Sequence, residues 1–154
     1  MRNSRGKGFI IIVFAGLIVV LLIFSLYRLF YSAENQATEA VHQFYSLEQD
    51  GTFSESWELF HPLMQQKFDK AYYIQDRAHV FMNHFGVSTF SYSLSDATKV
   101  SNWMMDSDTE PIDEVFHFTV YQTYKGKYGK FTIAQDVYVT EVKDEWKILW
   151  NYNK

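Results

Sequence analysis

Two carboxylates, Glu48 and Asp136, are candidates for a general base. Glu48 falls near the apolar side of a predicted helix but in its last turn, where a solvated residue is expected and an inward carboxylate is the alternative. Asp136 alternates with the apolar residues of a predicted strand, so we expect it to point away from the apolar face. A general base needs surroundings that exclude water and shift its pKa. A small enzyme with one of these acids as base is therefore the second hypothesis and not the first.

Other patterns that carry chemistry are absent from the sequence. The chain has no Cys, which excludes disulfides, zinc thiolates and thiol nucleophiles. His79 and His84 lie about 140° apart around a helix, so they cannot chelate one ion. Residues 106 to 110 have the acidic spacing of a calcium loop, but Pro111 stands where the sharp turn needs Gly. The sequence predicts no catalytic residue, no metal site and no cofactor.

Strand parity divides the remaining candidates between a pocket and an interface. Gln135 lies on the inward parity between Ile133 and Val137, so it is a candidate to line a ligand pocket together with Glu48. Tyrosine is enriched at interfaces because it brings a large contact area at a small entropic cost. Amphipathic residues at the rim of an open sheet are the alternative explanation. Three outward-facing rings are the interface candidates: Tyr121, Tyr138 and His117.

Helical patterns precede the strands. Apolar residues recur at spacings of three and four between positions 34 and 49, which is typical of an amphipathic helix. A short second helix should follow, because Thr52 and Glu55 have the spacing of a capping box. Pro62 is expected to end that helix. A third helix is predicted over residues 71 to 85, with Gly86 as the residue that ends it.

After Gly86 the hydrophobic period changes to two, and β-branched and aromatic residues become frequent. Residues 126 to 129 should turn one long hairpin. Helices followed by antiparallel strands predict an α+β fold, with three helices packed on one face of a curved sheet. The predicted strands cover residues 87 to 94, 100 to 104, 112 to 124, 131 to 142 and 146 to 152.

Residues 9 to 30 form an apolar run with one charge, Arg28. As a helix, this run matches the roughly 30 Å hydrocarbon core of a bilayer. It predicts a transmembrane helix that contacts membrane lipid, with residues 1 to 8 as a cytoplasmic basic tail and residues 31 to 154 as an extracytoplasmic domain. The expected localisation is the cell membrane, with a single pass and a cytoplasmic N-terminus. A cleaved secretory signal is the alternative, and the length of the apolar run counts against it.

The charge of the remaining chain excludes several kinds of partner. Residues 34 to 154 hold 10 basic and 18 acidic residues, a net charge of −8. Nucleic acid and anionic lipid require a basic footprint, so neither is an expected partner of this part of the chain.

The segment from Asp144 to Trp150, DEWKILW, resembles the hairpin and last strand of the nuclear transport factor 2-like superfamily. The segment from Phe53 to Leu63, FSESWELFHPL, is similar to the second-helix region of the same superfamily. Membrane-anchored members include the extracytoplasmic domain that precedes some Gram-positive penicillin-binding transpeptidases. The resemblance implies a strongly curved, cone-shaped sheet around the first helix. The superfamily contains enzymes that use an Asp or His base and also non-catalytic binders, so the resemblance leaves both kinds of function open.

These observations together favour a non-catalytic domain. It would act by protein interaction, with another protein or as a homodimer, or by holding a small ligand at the cell surface. The isomerase or dehydratase type of enzyme is the alternative.

Overall fold

A computed structural model describes residues 4 to 30, 32 to 80, 86 to 87 and 89 to 153, and within the first helix it describes the side chains of residues 13 to 26. The chain divides into two compact units, Met1–Asn35 and Gln36–Lys154. The described helices are α1 (Ser4–Phe30), α2 (Ala33–Gln49), α3 (Phe53–Glu58), α4 (Pro62–Lys67) and α5 (Lys70–Ala78). The described strands are β1 (Phe90–Leu94), β2 (Thr98–Trp103), β3 (Ile112–Gly126), β4 (Gly129–Val142) and β5 (Glu145–Trp150).

Helix α1 occupies the segment that was predicted to be a transmembrane helix, and this prediction is wrong. Among the residues that the structure describes, no helix is both long and apolar enough to cross a bilayer. The localisation and the lipid contact predicted from this segment stay predictions.

Helix α2 is the amphipathic helix that the sequence predicts. Its apolar positions recur every three or four residues, so they share one side of the helix. That side is buried and consists of Ala37, Ala40, Val41, Phe44, Tyr45 and Glu48. Asp50 and Gly51 follow the helix, and Gly51 has a φ of 74°, a conformation that favours glycine.

The prediction of three helices in the second unit is wrong, because Pro62 begins a helix instead of only ending one. His61 is the N-cap residue of α4, and its Nδ1 accepts a hydrogen bond of 3.1 Å from the backbone N–H of Leu63. Proline suits the first helical position, since its missing N–H has no partner there. Helix α5 begins in a similar way at Asp69, whose carboxylate accepts from the N–H groups of Ala71 and Tyr72.

The five strands form one antiparallel sheet with the long strand β3 inside it. Strands β1 and β2 both pair with one edge of β3, β4 pairs with its other edge, and β5 pairs with β4. The free edge of β5 is extended by an isolated parallel bridge between Phe60 and Ile148. Every strand pair in the sheet is antiparallel.

The sheet is not strongly curved, which corrects the predicted cone. Strands β3 and β4 pair continuously from Phe116↔Val139 to Gly126↔Gly129 without a change of register. Sharp bends in a sheet need bulges or interruptions of the ladder. The unbroken β3–β4 ladder therefore keeps the middle of the sheet regular.

The core lies between one face of the sheet, called the inner face below, and helices α2 to α5. Phe44, Phe60 and Trp150 form its centre, with ring centroids 5.1 Å apart for the two phenylalanines and 5.0 Å apart for Phe60 and Trp150. Burial of each phenylalanine stabilises the fold by about 1.5–3 kcal/mol. The opposite side of the sheet is called the outer face.

Candidate functional site

Glu48 lies inside the second unit, where only 3% of its surface is exposed. Its Oε1 accepts hydrogen bonds from the Ser56 hydroxyl and from the Tyr73 hydroxyl, the latter at 2.8 Å. Its Oε2 accepts from Nε of Arg77 at 2.7 Å and from the Nη2 of the same guanidinium. The interpretation of Glu48 as a solvated residue at a helix end is therefore wrong.

The groups around Glu48 are held in fixed protonation states. Burial lowers the pKa of Arg77, but the adjacent Glu48 carboxylate outweighs this effect and raises it above its usual value. Burial also raises the pKa of Tyr73, and the negative charge of Glu48 raises it further. The cluster therefore pairs one carboxylate with one guanidinium and keeps the Tyr73 phenol neutral, as a donor.

A second group of polar side chains connects α2 to the sheet. The hydroxyl of Tyr45, one turn before Glu48 on α2, donates to Oε1 of Gln135 at 3.1 Å. Gln122 donates to the same oxygen at 3.3 Å, and the hydroxyl of Tyr124 donates to Oε1 of Gln122 at 2.7 Å. The structure thus places the two pocket candidates in two hydrogen-bonded groups, Glu48 with Ser56, Tyr73 and Arg77, and Gln135 with Tyr45 and Gln122.

The geometry of the network limits the chemistry of Glu48. A carboxylate offers about four lone-pair sites, and four donor contacts from Ser56, Tyr73 and Arg77 occupy them. A general base needs a free lone pair within reach of the substrate proton. In this arrangement, Glu48 orients three helices and has no free site for a substrate.

The partners of Glu48 were not singled out from the sequence, although a signal for them exists. Ser56 lies three positions after Phe53 and four before Phe60, so it shares their apolar side. Arg77 likewise follows Tyr73 by four positions. A polar residue on the apolar side of each of three neighbouring helices indicates a buried polar cluster.

On the outer face, the two remaining polar candidates form a partly exposed pair. His117 on β3 and Asp136 on β4 are joined by a 2.9 Å contact between Nε2 and Oδ1. Thr119 donates to the same Oδ1 at 3.2 Å. More than half of the Asp136 side chain is exposed, so this carboxylate lies in water, as its strand parity predicts.

Aromatic rings cover one end of the outer face. Trp103 stacks on Tyr138 with ring centroids 4.2 Å apart, and His117 lies 4.8 Å from Tyr138 on another side. Asn102, just before Trp103, has a φ of 51°, which is uncommon for a residue other than glycine. Strand alternation would place Trp103 on the same side of the sheet as Lys99, which pairs with the inward Phe116. The conformation of Asn102 turns Trp103 to the outer face instead, where it stacks on Tyr138.

Tyr121 stands apart from this aromatic cluster and is 45% exposed. It pairs with Ser93 of β1 on one side and with Ala134 of β4 on the other. Small and hydroxylated residues therefore surround it on three strands. Of the three interface candidates, Tyr121 is accessible, whereas Tyr138 and His117 pack against each other and are half-buried.

Three grooves on the described surface are lined by residues other than the two pocket candidates. The first has a volume of about 630 Å³ and is lined by α2 and the start of β5, with Trp146 and Glu39 among its residues. Two others lie beside β1. Neither Glu48 nor Gln135 lines any of these three grooves.

Within the described ranges, no three or more His, Cys, Asp or Glu side chains come together as metal ligands would. Asp106, from the acidic segment that resembles a calcium loop, bonds to Lys67 at 2.9 Å. This hydrogen bond is the main reason that its pKa is lowered.

No protein-family model matches this sequence, and no curated protein is significantly similar to it. The resemblance to the nuclear transport factor 2-like superfamily stays a prediction, and the sheet lacks the strong curvature that this resemblance implies.

Proposed function

We propose that the second unit is a non-catalytic protein-interaction domain whose contact surface is the outer face of the sheet around Tyr121. The observation that carries this proposal is an exposed aromatic ring set among small residues on three adjacent strands. Such a ring can enter a pocket of a partner while the flat surroundings allow close approach.

The interior supports this proposal over catalysis or ligand binding. The polar groups that would orient a substrate or ligand, Glu48 and Gln135, already bond to other side chains of the chain. A ligand would have to replace those hydrogen bonds, and a buried polar group left unpaired costs about 1–3 kcal/mol. The outer face offers Tyr121 without such a cost.

A photo-crosslinking residue placed at position 121 in the full chain tests the proposal in the cell that produces the protein. We expect a discrete adduct with another protein, which mass spectrometry can identify. The matched control is position 128, since Tyr128 at the hairpin tip is even more exposed, at 83%. Ala134→Lys, next to position 121 on the same face, should abolish the adduct.

Equal adducts from positions 121 and 128 would show nonspecific contact and contradict the proposal. Absence of any adduct at position 121 would also contradict it. Glu48→Gln, introduced into the chain that carries the photo-crosslinking residue at position 121, distinguishes protein interaction from an enzyme with Glu48 as base. An interaction surface on the outer face does not need this acid. A folded Glu48→Gln chain that keeps the adduct supports protein interaction.

A further inference from the structure

Among the residues that the structure describes, strand β4 has no paired strand on one edge over half of its length. Strand β5 covers β4 from Val137 to Val142. Among the described residues, no strand pairs with positions 130 to 136 on that side. The chain after β5 does not continue along β4, because the N–H of Tyr152 bonds to the carbonyl of Met105 at 2.8 Å.

This open edge lacks the features that normally protect a strand from pairing with another chain. An unpaired edge presents a row of N–H and C=O groups to any extended segment. Proteins usually block such edges with proline, a bulge or several charges. Residues 130 to 136, KFTIAQD, contain no proline, hold a regular register with β3 and carry charges only at their two ends. Ile133, at the centre, is 39% exposed.

The segment is complementary to itself when it is turned around. If two copies lie antiparallel with Ile133 opposite Ile133, then Thr132 faces Ala134 of the other copy. Phe131 faces Gln135 in the same way. Lys130 then faces Asp136, so an opposite charge stands at each end of the pairing. Residues directly opposite in antiparallel strands share one side of the sheet, which allows these charges to meet.

We propose that two copies of this chain associate through the β4 edge, by antiparallel pairing of residues 130 to 136 around a two-fold axis at Ile133. The pairing joins the two sheets into one continuous sheet and satisfies the exposed backbone groups of both edges. It is isologous, so it closes as a dimer and does not grow into a fibre. A seven-residue edge is a small interface, and we expect a dissociation constant in the micromolar range.

Cysteine crosslinking tests the register, because the chain has no Cys of its own. Ile133→Cys in the full chain should form a disulfide-linked dimer under mild oxidation, since opposite residues lie about 4.5–5.5 Å apart between Cα atoms, within disulfide range. Tyr121→Cys is the control, since this position is at least as exposed but lies away from the edge. We expect crosslinking at position 133 to be at least about tenfold faster.

A mixture of two variants tests the register at a second point. Thr132→Cys and Ala134→Cys should crosslink to each other faster than either does to itself. Self-crosslinking of Thr132→Cys at the rate of Ile133→Cys would overturn the proposed axis. Equal rates at positions 121 and 133, or a disulfide from position 133 to a different protein, would overturn the dimer.

Charge reversal tests the ends of the pairing in the Ile133→Cys background. Lys130→Asp alone and Asp136→Lys alone each place like charges opposite one another, so both should slow crosslinking several-fold. The double variant restores opposite charges and should restore the rate. Circular dichroism confirms that each variant is folded. Failure of the double variant to recover while it remains folded would contradict the predicted contact between Lys130 and Asp136.

Discussion

At the scale of single residues, Glu48 shows how one buried acid can connect several helices. It lies on α2, and its partners Ser56, Tyr73 and Arg77 lie on α3 and α5. A buried carboxylate is costly unless charge and hydrogen bonds compensate it. Because the partners come from two other helices, the ion pair and its hydrogen bonds fix the positions of α2, α3 and α5 relative to one another.

Glu48→Gln should therefore destabilise the fold. The substitution removes the charge that compensates Arg77, and loss of one partner of a buried pair costs about 3 kcal/mol or more. Urea unfolding followed by circular dichroism measures the change. Adding Arg77→Met should recover part of the stability, because the buried positive charge that Glu48 compensates is then gone.

Glu114→Gln is the matched control for this prediction. It breaks the Lys99–Glu114 ion pair, in which both side chains are about half exposed. Surface pairs contribute at most about 1 kcal/mol, so the unfolding free energy should change by less than that. A Glu48→Gln effect no larger than that of Glu114→Gln would show that the buried pair does not hold the helices together.

At the scale of elements, the caps decide where helices begin. The neutral imidazole of His61 caps α4, and burial lowers its pKa below its ordinary value. The unfolded chain binds the proton more readily than the folded one, so this group's contribution to stability is present above about pH 6.5 and is lost as pH falls below it.

His61→Asn should retain a cap for α4 and remove this part of the acid sensitivity. Unfolding free energies measured between neutral pH and pH 5 should fall less for the variant than for the parent chain. Equal pH dependence in His61→Asn and the parent would contradict the role given to His61.

The elements also show what sequence reasoning can and cannot reach. Periodicity predicts α2 and the β3–β4 hairpin within a few residues, because each has one buried side and one exposed side. It misses α4, since Pro62 carries the same signal at the end of one helix and at the start of another.

The candidate site was predicted in part. Parity places Gln135 inward and Tyr121 outward, as the structure does. The burial of Glu48 was not predicted, because its position in the last helical turn gave no information about α3 and α5. Those helices supply its partners, and their approach is a tertiary property.

At the scale of the whole molecule, the second unit has a hydrophobic core of its own. Every described buried apolar residue of that core lies at position 37 or later. We expect a chain of residues 33 to 154 to fold without the preceding part, with dispersed amide signals in NMR and a cooperative urea transition. An aggregated or unfolded fragment would contradict the boundary at residue 35.

The bridge between Phe60 and Ile148 bears on the order in which the chain folds. The N–H of His61 bonds to the carbonyl of Ile148, and the N–H of Ile148 bonds to the carbonyl of Leu59, each at 2.9 Å. These groups lie far apart in sequence, so their contact requires closure of a long loop, which slows folding. We expect the segment between α3 and α4 to dock once β5 has formed, and we expect the two hydrogen bonds to open in one event. The amides of His61 and Ile148 should therefore exchange with solvent hydrogen at similar rates, as parts of one cooperative unit.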